Sequence, residues 1–409
     1  MVTQNLLLAF ALTLTLLPCY LAAVPAPAPA HDEASLLLQI KSACGDPPAL
    51  AGWDATAAPA HCDWINVRCD TAGRVASLSI GSAGLTGPFP DAIAGLSALT
   101  YLDLSFNNLT GAFPAYLGSL TGLQTLLLSF NPFDAGELPA SLSDLTSLVT
   151  LWADQCNLVG GFPTTVLEMP ELEELDLSNN ALTGSIPPRV WGLSKLQRLI
   201  LFNNSFTGDV VIGDDMATKS LRSVDISGNH KLTGSILQAF CLCKNLEDLR
   251  LNSNNFSGEI PGCIAQLPSL STLILHNNRF TGMLPPELGQ HSDLLWVDFD
   301  HNELTGPIPK GLCTGGHRFL SYLSVRNNHL DGSIPSGLAQ CALLDTLFLD
   351  NNNLTGVIPE GLCARGMLLC VVSAANNNLN GSIPIGASLE ALSLDNNQLT
   401  GAIPDGHCF

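Results

Sequence analysis

Basic residues are scarce in this sequence, which argues against the partners that need them. Sixteen Lys and Arg residues stand against 36 Asp and Glu, so the formal net charge is −20 over 409 residues. Nucleic acids and anionic lipid surfaces are bound through clustered Lys and Arg. We therefore expect no nucleic-acid partner, whereas a basic peptide or protein would suit this charge; most of the carboxylates are expected to be solvated surface groups.

The short motifs that mark common active sites are also missing. The sequence contains no H-E-x-x-H, no G-x-S-x-G, no phosphate-binding loop and no kinase signature. Cys241 and Cys243 have no partner ligands at zinc-like spacing. We predict a protein that is not an enzyme and that uses no cofactor and no metal.

Long apolar runs are confined to the N-terminus. Residues 1–23 carry an apolar run that ends in small residues, as a secretory signal peptide does, although no Lys or Arg precedes the run. A Pro/Ala spacer follows at 24–30, and no later stretch approaches the roughly 20 apolar residues of a membrane helix. We expect a soluble, exported chain without membrane insertion.

Sequons and cysteines agree with export. Five glycosylation sequons are present, at Asn108, Asn203, Asn255, Asn353 and Asn380. Of the 13 cysteines, Cys19 would be lost with the signal segment. In an oxidising compartment the remaining cysteines are expected to form disulfides rather than metal sites or nucleophiles.

One frame, L-x-L-x-x-N-x-L-x-G-x-I-P, recurs along the whole chain. Clear copies occupy 102–114, 175–187, 249–261, 347–359 and 392–404. Among the fourteen frame glycines, eight of the thirteen intervals are 24 residues long. Such a period predicts stacked units that share one core, an elongated repeat solenoid without domain seams.

Each unit predicts a short strand and then a turn. The two leucines of L-x-L point inward, and the strands of stacked units pair as a parallel sheet. The Asn is expected to bind backbone groups where the chain bends. Cys156 falls in that asparagine position, so we interpret it as a buried structural residue and not as a reactive thiol.

Side chains eight, six and five positions before each glycine are predicted to face out on the concave surface. Aromatic residues recur there in three consecutive repeats, so we favour a binding ridge over scattered surface residues. For His276 and His301 two interpretations remain, pH-dependent contact or simple solvation. The predicted ligand-contact residues are Phe106, Phe130, Trp152, Asp154, Gln155, Asp176, Ile200, Phe202, Arg250, Ile274, His276, Asp298, Asp300, His301, Arg326, Phe348 and Asp350. A glycan on Asn203 would project from the same surface.

The repeat resembles that of plant extracellular leucine-rich-repeat proteins. Residues 32–70 resemble the N-terminal cap of that family, including a W-x-x-V-x-C core from Trp64 to Cys69. The segments "FNPF" (130–133), "CNLVG" (156–160) and "LFNNSFTG" (201–208) resemble HAESA-type receptor kinases, which perceive small secreted peptides. The resemblance implies an α/β-type leucine-rich-repeat horseshoe or superhelix, with a parallel sheet on the concave face and short helical segments on the convex side.

The resemblance also implies a domain organisation and partners. It places a cap at 31–75 and about 14 repeats at 76–409, with no evident C-terminal cap. The implied partners are a small secreted peptide or protein and a co-receptor kinase. Because the sequence stops at Phe409 before a membrane helix or kinase, we expect peptide perception without autonomous signalling. The expected location is the apoplast or cell wall, or the cell surface if the chain is a fragment of a receptor kinase.

The sequence departs from this family at three positions. The family's Arg-x-Arg pair, which holds the ligand's carboxylate, is only half present in two places: Asn252 stands two residues after Arg250, and Ser324 stands two residues before Arg326. Asn66 stands where the cap usually has Gly. The family frame implies a bridge from Cys62 to Cys69, from Cys241 or Cys243 to Cys263, and from Cys313 to Cys341, with Cys363 as a competitor for Cys341.

Two functional hypotheses of different classes remain. The first is a receptor-like protein that binds a small secreted peptide or protein in signalling. The second is a defence inhibitor of a microbial cell-wall-degrading enzyme, similar to polygalacturonase inhibitors. The "FNPF" and "CNLVG" segments favour the first.

Overall fold

Short parallel strands, one from each repeat, form a continuous ladder along the described chain. The computed structural model describes residues 32–56, 60–212, 220–313, 319–363, 371–384 and 391–402. The predicted signal segment at 1–23, the spacer at 24–30 and the end of the array at 403–409 lie outside these residues.

Fifteen strands of the described residues form the concave sheet, and each pairs with its neighbour in the chain. The first pair is antiparallel, and all later pairs, one per repeat, are parallel. The strands are Val67–Cys69, Val75–Ser79, Tyr101–Asp103, Thr125–Leu127, Thr150–Trp152, Glu174–Asp176, Arg198–Ile200, Ser223–Asp225, Asp248–Arg250, Thr272–Ile274, Trp296–Asp298, Tyr322–Ser324, Thr346–Phe348, Val371–Ser373 and Ala391–Ser393. This arrangement confirms the predicted leucine-rich-repeat solenoid.

Shorter strands run beside the concave sheet on one flank. These flank strands are Thr86–Pro88, Asn108–Thr110, Val159–Gly160, Ala181–Gly184, Ser205–Asp209, Lys231–Thr233, Ser257–Glu259, Arg279–Met283, Glu303–Pro307, His329–Asp331, Thr355–Val357, Asn378–Gly381 and Gln398–Leu399. They pair in parallel in four separate sheets of two to four strands. The frame glycine lies within or beside most of them and has a positive φ, for example +83° at Gly208.

Helical segments form the convex side and the cap. The α-helices of the described residues are Glu33–Ala43, in the cap, and Leu237–Phe240. The 3₁₀ turns are Pro48–Leu50, His61–Asp63, Asp91–Gly95, Ala115–Ser119, Ala140–Asp144, Thr164–Glu168, Pro188–Gly192, Gly262–Gln266, Ser336–Gln340 and Glu360–Cys363. Many of the convex turns follow a proline that ends the flank segment, such as Pro114, because the fixed φ of proline suits the start of a helical turn.

Leucine burial drives the stacking. The central residue of each repeat strand faces the core, as Leu102, Leu199 and Leu347 do, and all three are fully buried. Each buried Leu contributes roughly 1.5–3 kcal/mol, but its surroundings come from the repeats before and after it. One unit alone could not cover its own leucines, so the array is stable only as a stack.

An asparagine ladder supports the bend after each strand. Asn204 is representative: its Nδ2 donates to the carbonyl oxygens of Leu177 in the previous repeat and Leu201 in its own, at 3.0 and 3.1 Å. Its Oδ1 accepts the backbone N–H of Leu182, also in the previous repeat, at 3.0 Å. One side chain thus satisfies backbone groups of two repeats and sets their relative position.

Cys156 occupies this ladder in place of asparagine, as predicted. Its Sγ lies 3.2 Å from the carbonyl oxygen of Leu128 and 3.4 Å from that of Asp154, and the thiol is fully buried. Its backbone N–H donates to Asn180 Oδ1 at 3.1 Å. Burial raises the pKa of this thiol to about 12, so it is a packing residue without nucleophilic character.

The cysteine pairs close the cap and two sites on the convex side. Cys62 bonds to Cys69, Cys241 bonds to Cys263, and Cys313 bonds to Cys341. Where two alternatives were open, Cys241 rather than Cys243 therefore pairs with Cys263. In the cap, Asn66 has a φ of +67°, which explains why it can stand where the family has Gly: Asn tolerates the left-handed region better than other side chains.

We predict that Asn254→Ala destabilises the array by roughly 1–3 kcal/mol, since Asn254 Nδ2 donates to the carbonyls of Ile226 and Leu251 at 3.0 Å, and alanine leaves them unsatisfied in the interior. Urea unfolding followed by circular dichroism measures the change. Asn252→Ala is the matched control two residues away, because Asn252 is half-buried and lies outside the asparagine ladder. Equal destabilisation by both variants would contradict the role of the ladder.

Candidate functional site

Four rows of side chains run along the concave face, because neighbouring strands pair in register. Trp296 is paired with Tyr322, and Asp298 with Ser324. We name the rows by position. The first residue of each three-residue strand lies in the first row and the third residue in the second row, as Trp296 and Asp298 do. The residue two positions after the strand lies in the third row, as Asp300 does, and the residue after that, here His301, lies in the turn row. Neighbours within a row come from adjacent strands, about 4.8 Å apart, so their side chains touch.

The turn row adopts a left-handed backbone in every repeat. Asparagine is common there, as at Asn179 and Asn327, with φ of +53° and +52°. Phe106 and Phe130 adopt the same conformation, with φ of +54° and +57°. A bulky side chain in this region carries a strain of order 1–3 kcal/mol, and such strain clusters at functional sites.

These two phenylalanines, the Phe106 pair, form an exposed aromatic surface near the N-terminal end of the array. Their rings are stacked with centroids 4.5 Å apart, and the side chain of Phe106 is 57% exposed. Trp152 is also exposed but lies in the second row, at the end of its strand. The three predicted aromatics are therefore near one another in sequence but occupy two different rows.

A second aromatic surface lies further along the array. Trp296 is 43% exposed, and its ring stacks on Tyr322 with centroids 4.4 Å apart. Tyr322 meets Phe348 edge-on at 5.9 Å, and the guanidinium carbon of Arg326 lies 3.5 Å from the centre of the Phe348 ring. Asp298 ends the strand that begins at Trp296, and Asp300 lies two residues further on. We call Trp296, Asp298, Asp300, Tyr322, Arg326 and Phe348 the Trp296 patch.

Trp296 and Tyr322 are absent from the predicted contact residues. The predicted positions, eight, six and five residues before each glycine, reach back only to the second row, and these two residues lie in the first row. The L-x-L alternation carries the missing signal: with a period of two, the residue before the first Leu faces the same side as the residue between the two leucines. Applied to "WVD" and "YLS", that rule places Trp296 and Tyr322 in the groove.

Arg326 is held in place by two acidic residues. Its Nε donates to Asp350 Oδ2 at 2.6 Å, and its backbone N–H donates to Asp300 Oδ1 at 2.7 Å. Asp300 also accepts the hydroxyl of Ser324, and Asp350 accepts that of Ser373 in the next repeat. The guanidinium is therefore already neutralised, and its exposed contribution to the groove is a flat surface over Phe348.

Three predicted contact residues are buried, which corrects the expectation that all the selected side chains are open to solvent. Asp154, Asp298 and Asp350 are each 8–9% exposed. Asp154 accepts the hydroxyl of Ser129 from the previous repeat, so it stabilises the groove floor. Burial arises because side chains from the adjacent repeats cover these carboxylates.

Burial changes the acidity of the groove carboxylates. It raises the pKa of Asp298 to about 7, and the negative charge of Asp300 adds to this effect. Burial likewise raises the pKa of Asp176 to about 6, although hydrogen bonds from Ser178 oppose the shift. His276 responds in the opposite sense, since burial lowers its pKa.

The other predicted contact residues lie on the same face with varied exposure. Gln155 and His301 are exposed; Asp176, Ile200, Phe202, Arg250, Ile274 and His276 are partly buried. Arg250 Nε donates to Asp248 within its own strand, at 2.9 Å.

The sequons divide between two surfaces. Asn203 is in the turn row, where its Nδ2 donates to Asn179 Oδ1 at 3.1 Å. Asn108, Asn353 and Asn380 are exposed at or beside the flank strands, and Asn255 is partly buried there. Glycans on the flank would leave the concave rows open, whereas one on Asn203 would stand in the groove.

Three residues in the cap lie close enough together to suggest a metal site, but they do not form one. His61, Cys62 and Cys69 come within 4.8 Å of one another, the one such group in the part of the chain described. The two cysteines form a disulfide and therefore offer no thiolate.

We predict that Phe130→Asn changes the free energy of unfolding by less than about 1 kcal/mol, because relief of backbone strain offsets the loss of roughly 0.5–1.5 kcal/mol of ring stacking. Phe133, in the same "FNPF" segment, is buried against Phe113 and Phe89. Phe133→Ala should cost roughly 3–5 kcal/mol. Chemical denaturation compares the two, and a large loss in Phe130→Asn would show that Phe130 is a core residue.

We predict that Asp298 makes the array less stable as pH rises from about 4 to about 7. Its pKa is higher in the folded chain, so the folded state binds the proton more tightly and stability is lost on ionisation. Asp298→Asn should flatten the dependence of unfolding free energy on pH and stabilise the chain at pH 8. Asp331→Asn, at an exposed flank carboxylate, is the control and should keep the wild-type slope.

Comparison with known proteins agrees with this architecture. Leucine rich repeat models match residues 73–133 and 219–280, and further single-repeat matches fall at 171–193, 319–341, 343–364 and 388–408. A leucine rich repeat N-terminal domain model matches residues 30–70. No helix in the described residues has both the length and the apolar character needed to cross a bilayer.

Solved and curated relatives are of two kinds. The Arabidopsis receptor kinase HAESA, in complex with the peptide hormone IDA and the co-receptor SERK1, is 31% identical with a TM-score of 0.70, covering 91% of this chain and 75% of that one. The plant peptide hormone receptor RGFR1 in complex with RGF2 is 27% identical with a TM-score of 0.73, covering 84% and 62%. Polygalacturonase inhibitor 1 of Oryza sativa subsp. japonica is 41% identical over 93 residues, which is 22% of this chain and 27% of the inhibitor.

The matched proteins are receptor ectodomains and enzyme inhibitors, which supports the prediction that this chain is not an enzyme. The HAESA structures are of its leucine-rich-repeat ectodomain. The alignment with the rice inhibitor spans only about a quarter of that protein. The repeat frame, the N-terminal cap, the fold and the sequence identity over 75% of the HAESA chain all indicate the same family. The chain therefore belongs to the plant extracellular leucine-rich-repeat proteins, and its repeat array is similar to the ectodomains of HAESA-type receptor kinases.

Proposed function

We propose that this protein is an extracellular, receptor-like binder that takes a small secreted peptide or protein along its concave face in signalling. The observation that carries the proposal is the Trp296 patch. It exposes stacked aromatic rings over successive strands, with Arg326 over Phe348. Contiguous exposed aromatic clusters of this kind mark interaction sites on protein surfaces.

The patch has the properties of a binding hot spot. Trp, Tyr and Arg dominate such spots because they bury large areas with few rotatable bonds. Here stacking of Trp296 on Tyr322 and the bond from Arg326 to Asp350 hold the side chains in one arrangement before any ligand arrives. Pre-organisation reduces the entropy lost on binding.

The Phe106 pair suggests that the ligand extends along several repeats. Ten strand spacings separate the strand before Phe106 from the strand that ends at Phe348. At about 4.8 Å per strand this is roughly 50 Å, a distance that an extended peptide of about 15 residues covers at about 3.3 Å per residue. The strand before Phe130 and the strand that begins at Trp296 are seven spacings apart, roughly 34 Å, so a peptide shorter than about 10 residues would contact one aromatic surface only.

Complexes of similar proteins support a peptide ligand and a second protein partner. The solved relatives hold peptide hormones, and one of them also holds a co-receptor. We extend both to this chain as part of the proposal, with a co-receptor kinase as the second partner. The departures at Arg250 and Arg326 mean that the end of the peptide would be held differently, since each position keeps one arginine of the family's pair.

Inhibition of a microbial cell-wall-degrading enzyme is the second candidate. The 41% identity to the rice polygalacturonase inhibitor over 93 residues favours it. The net charge of −20 would attract a basic enzyme surface. A protein partner of this kind would cover a wide area of the concave face and depend less on the Trp296 patch alone.

We predict that displayed random 16-residue peptides selected on the secreted protein bind through the groove. Trp296→Ala should weaken the selected peptides by at least tenfold, as expected of a hot-spot residue, when affinities are measured by biolayer interferometry. Met283→Ala is the matched control, because Met283 is an exposed apolar residue on a flank strand.

The same preparation is tested against fungal polygalacturonase activity. Peptide binding that depends on Trp296, without enzyme inhibition, supports the receptor-like function. Inhibition of the enzyme with no selected peptide overturns it in favour of the second candidate. Peptides that tolerate Trp296→Ala would contradict the role of the patch.

A further inference from the structure

Asp298 differs chemically from the other aspartates of its row. Asp103, Asp176 and Asp225 each accept both the backbone N–H and the hydroxyl of the serine two residues later. At the equivalent position after Asp298 the chain has Asp300, which supplies only a backbone N–H, at 3.1 Å. Asp298 has therefore lost a hydroxyl donor and gained a second carboxylate as its neighbour.

The surrounding charges compensate Asp298 only in part: Arg326 opposes the rise in the Asp298 pKa, but burial and the charge of Asp300 outweigh it. On the next strand Arg326 is engaged by Asp350 and lies over Phe348. Asp300 is engaged by Ser324 and the backbone of Arg326. Within residues 32–56, 60–212, 220–313, 319–363, 371–384 and 391–402, no cationic side chain comes within 4 Å of the Asp298 carboxylate.

Asp298 is also turned toward the groove. It is the second-row residue of the strand Trp296–Asp298, so its side chain leaves the sheet on the same face as that of Trp296. Only 9% of Asp298 is exposed to solvent. A buried carboxylate with one hydrogen bond and a like charge beside it is an unfavourable arrangement that a bound cation would relieve.

The aromatic rings beside it complete a cation site. Trp296 and Tyr322 stack on each other in the row next to Asp298, and Trp296 stays 43% exposed, so its outer ring face can attract an ammonium or guanidinium group. We propose that Asp298 and the Trp296–Tyr322 stack form a subsite for one lysine or arginine side chain of the bound ligand, an inference that rests on the proposed function.

An organic cation fits this site better than a metal ion. Hard metal ions require several oxygen ligands at once, and Asp300 is already engaged by Ser324 and Arg326. The flat rings of Trp296 and Tyr322 offer no ligand oxygen toward a metal except the phenol. A planar guanidinium can stack on the rings and donate to the carboxylate together.

The test uses two probes that differ only in charge. N-acetyl-arginine methylamide and its neutral analogue N-acetyl-citrulline methylamide are titrated into the ¹⁵N-labelled secreted protein, and the indole N–H signal of Trp296 is followed by NMR. Three of the five tryptophans are buried, Trp53, Trp64 and Trp191, and Trp152→Phe removes the other exposed indole. The arginine probe should bind at least tenfold more tightly than citrulline.

Variants assign the effect to Asp298. Asp298→Asn should reduce binding of the arginine probe to the level of citrulline, and Asp298→Glu should restore part of it. Asp331→Asn removes one charge on the flank and should change nothing. Equal binding of the two probes, or retained arginine binding in Asp298→Asn that circular dichroism shows to be folded, overturns the subsite.

Peptide selection separates this inference from the proposed function. Peptides selected on the wild-type protein should be enriched in Lys or Arg, and the enrichment should disappear on Asp298→Asn. Groove-binding peptides without basic residues would overturn the subsite and leave the proposed function standing. Binding of the arginine probe without any selected peptide would leave the subsite standing and count against the peptide-binding function.

Discussion

Hydrogen bonds of the asparagine ladder join each repeat to the one before it and so set the position of every strand in the array. The chain must turn inward after every strand, and this turn leaves backbone groups with no partner in a sheet or helix. Asn204 and its equivalents satisfy these groups in two repeats at once. The same bonds fix the offset between neighbouring repeats, so strands pair in register and side chains fall into rows.

Register converts single residues into surfaces. Trp296 and Tyr322 are 26 positions apart in the chain, yet their strand pairing brings the rings to 4.4 Å. The same pairing lets Asp350 bind both Arg326 and a serine of the following repeat. A binding surface on this scaffold therefore changes by substitution at exposed row positions, while the leucines and asparagines that hold the stack stay the same.

Departures from the repeat pattern mark where the surface is specialised. Phenylalanine at Phe106 and Phe130 replaces residues that suit a left-handed turn, and Asp300 replaces the serine that stabilises a neighbouring aspartate. Both changes cost folding stability locally, through backbone strain in one case and through two neighbouring carboxylates in a buried setting in the other. Neither is explained by the core, and both lie on the concave face.

The solenoid, its 24-residue spacing, the inward leucines and the structural role of Cys156 could all be predicted from the residues, because they follow from local alternation and a repeated frame. The burial of Asp154, Asp298 and Asp350 and the stacking of Trp296 on Tyr322 became evident only once the chain was folded. The same is true of the pairing of Cys241, rather than Cys243, with Cys263. The physical reason is that these properties depend on side chains from adjacent repeats, whose covering and stacking are set by packing across the ladder and not by local pattern.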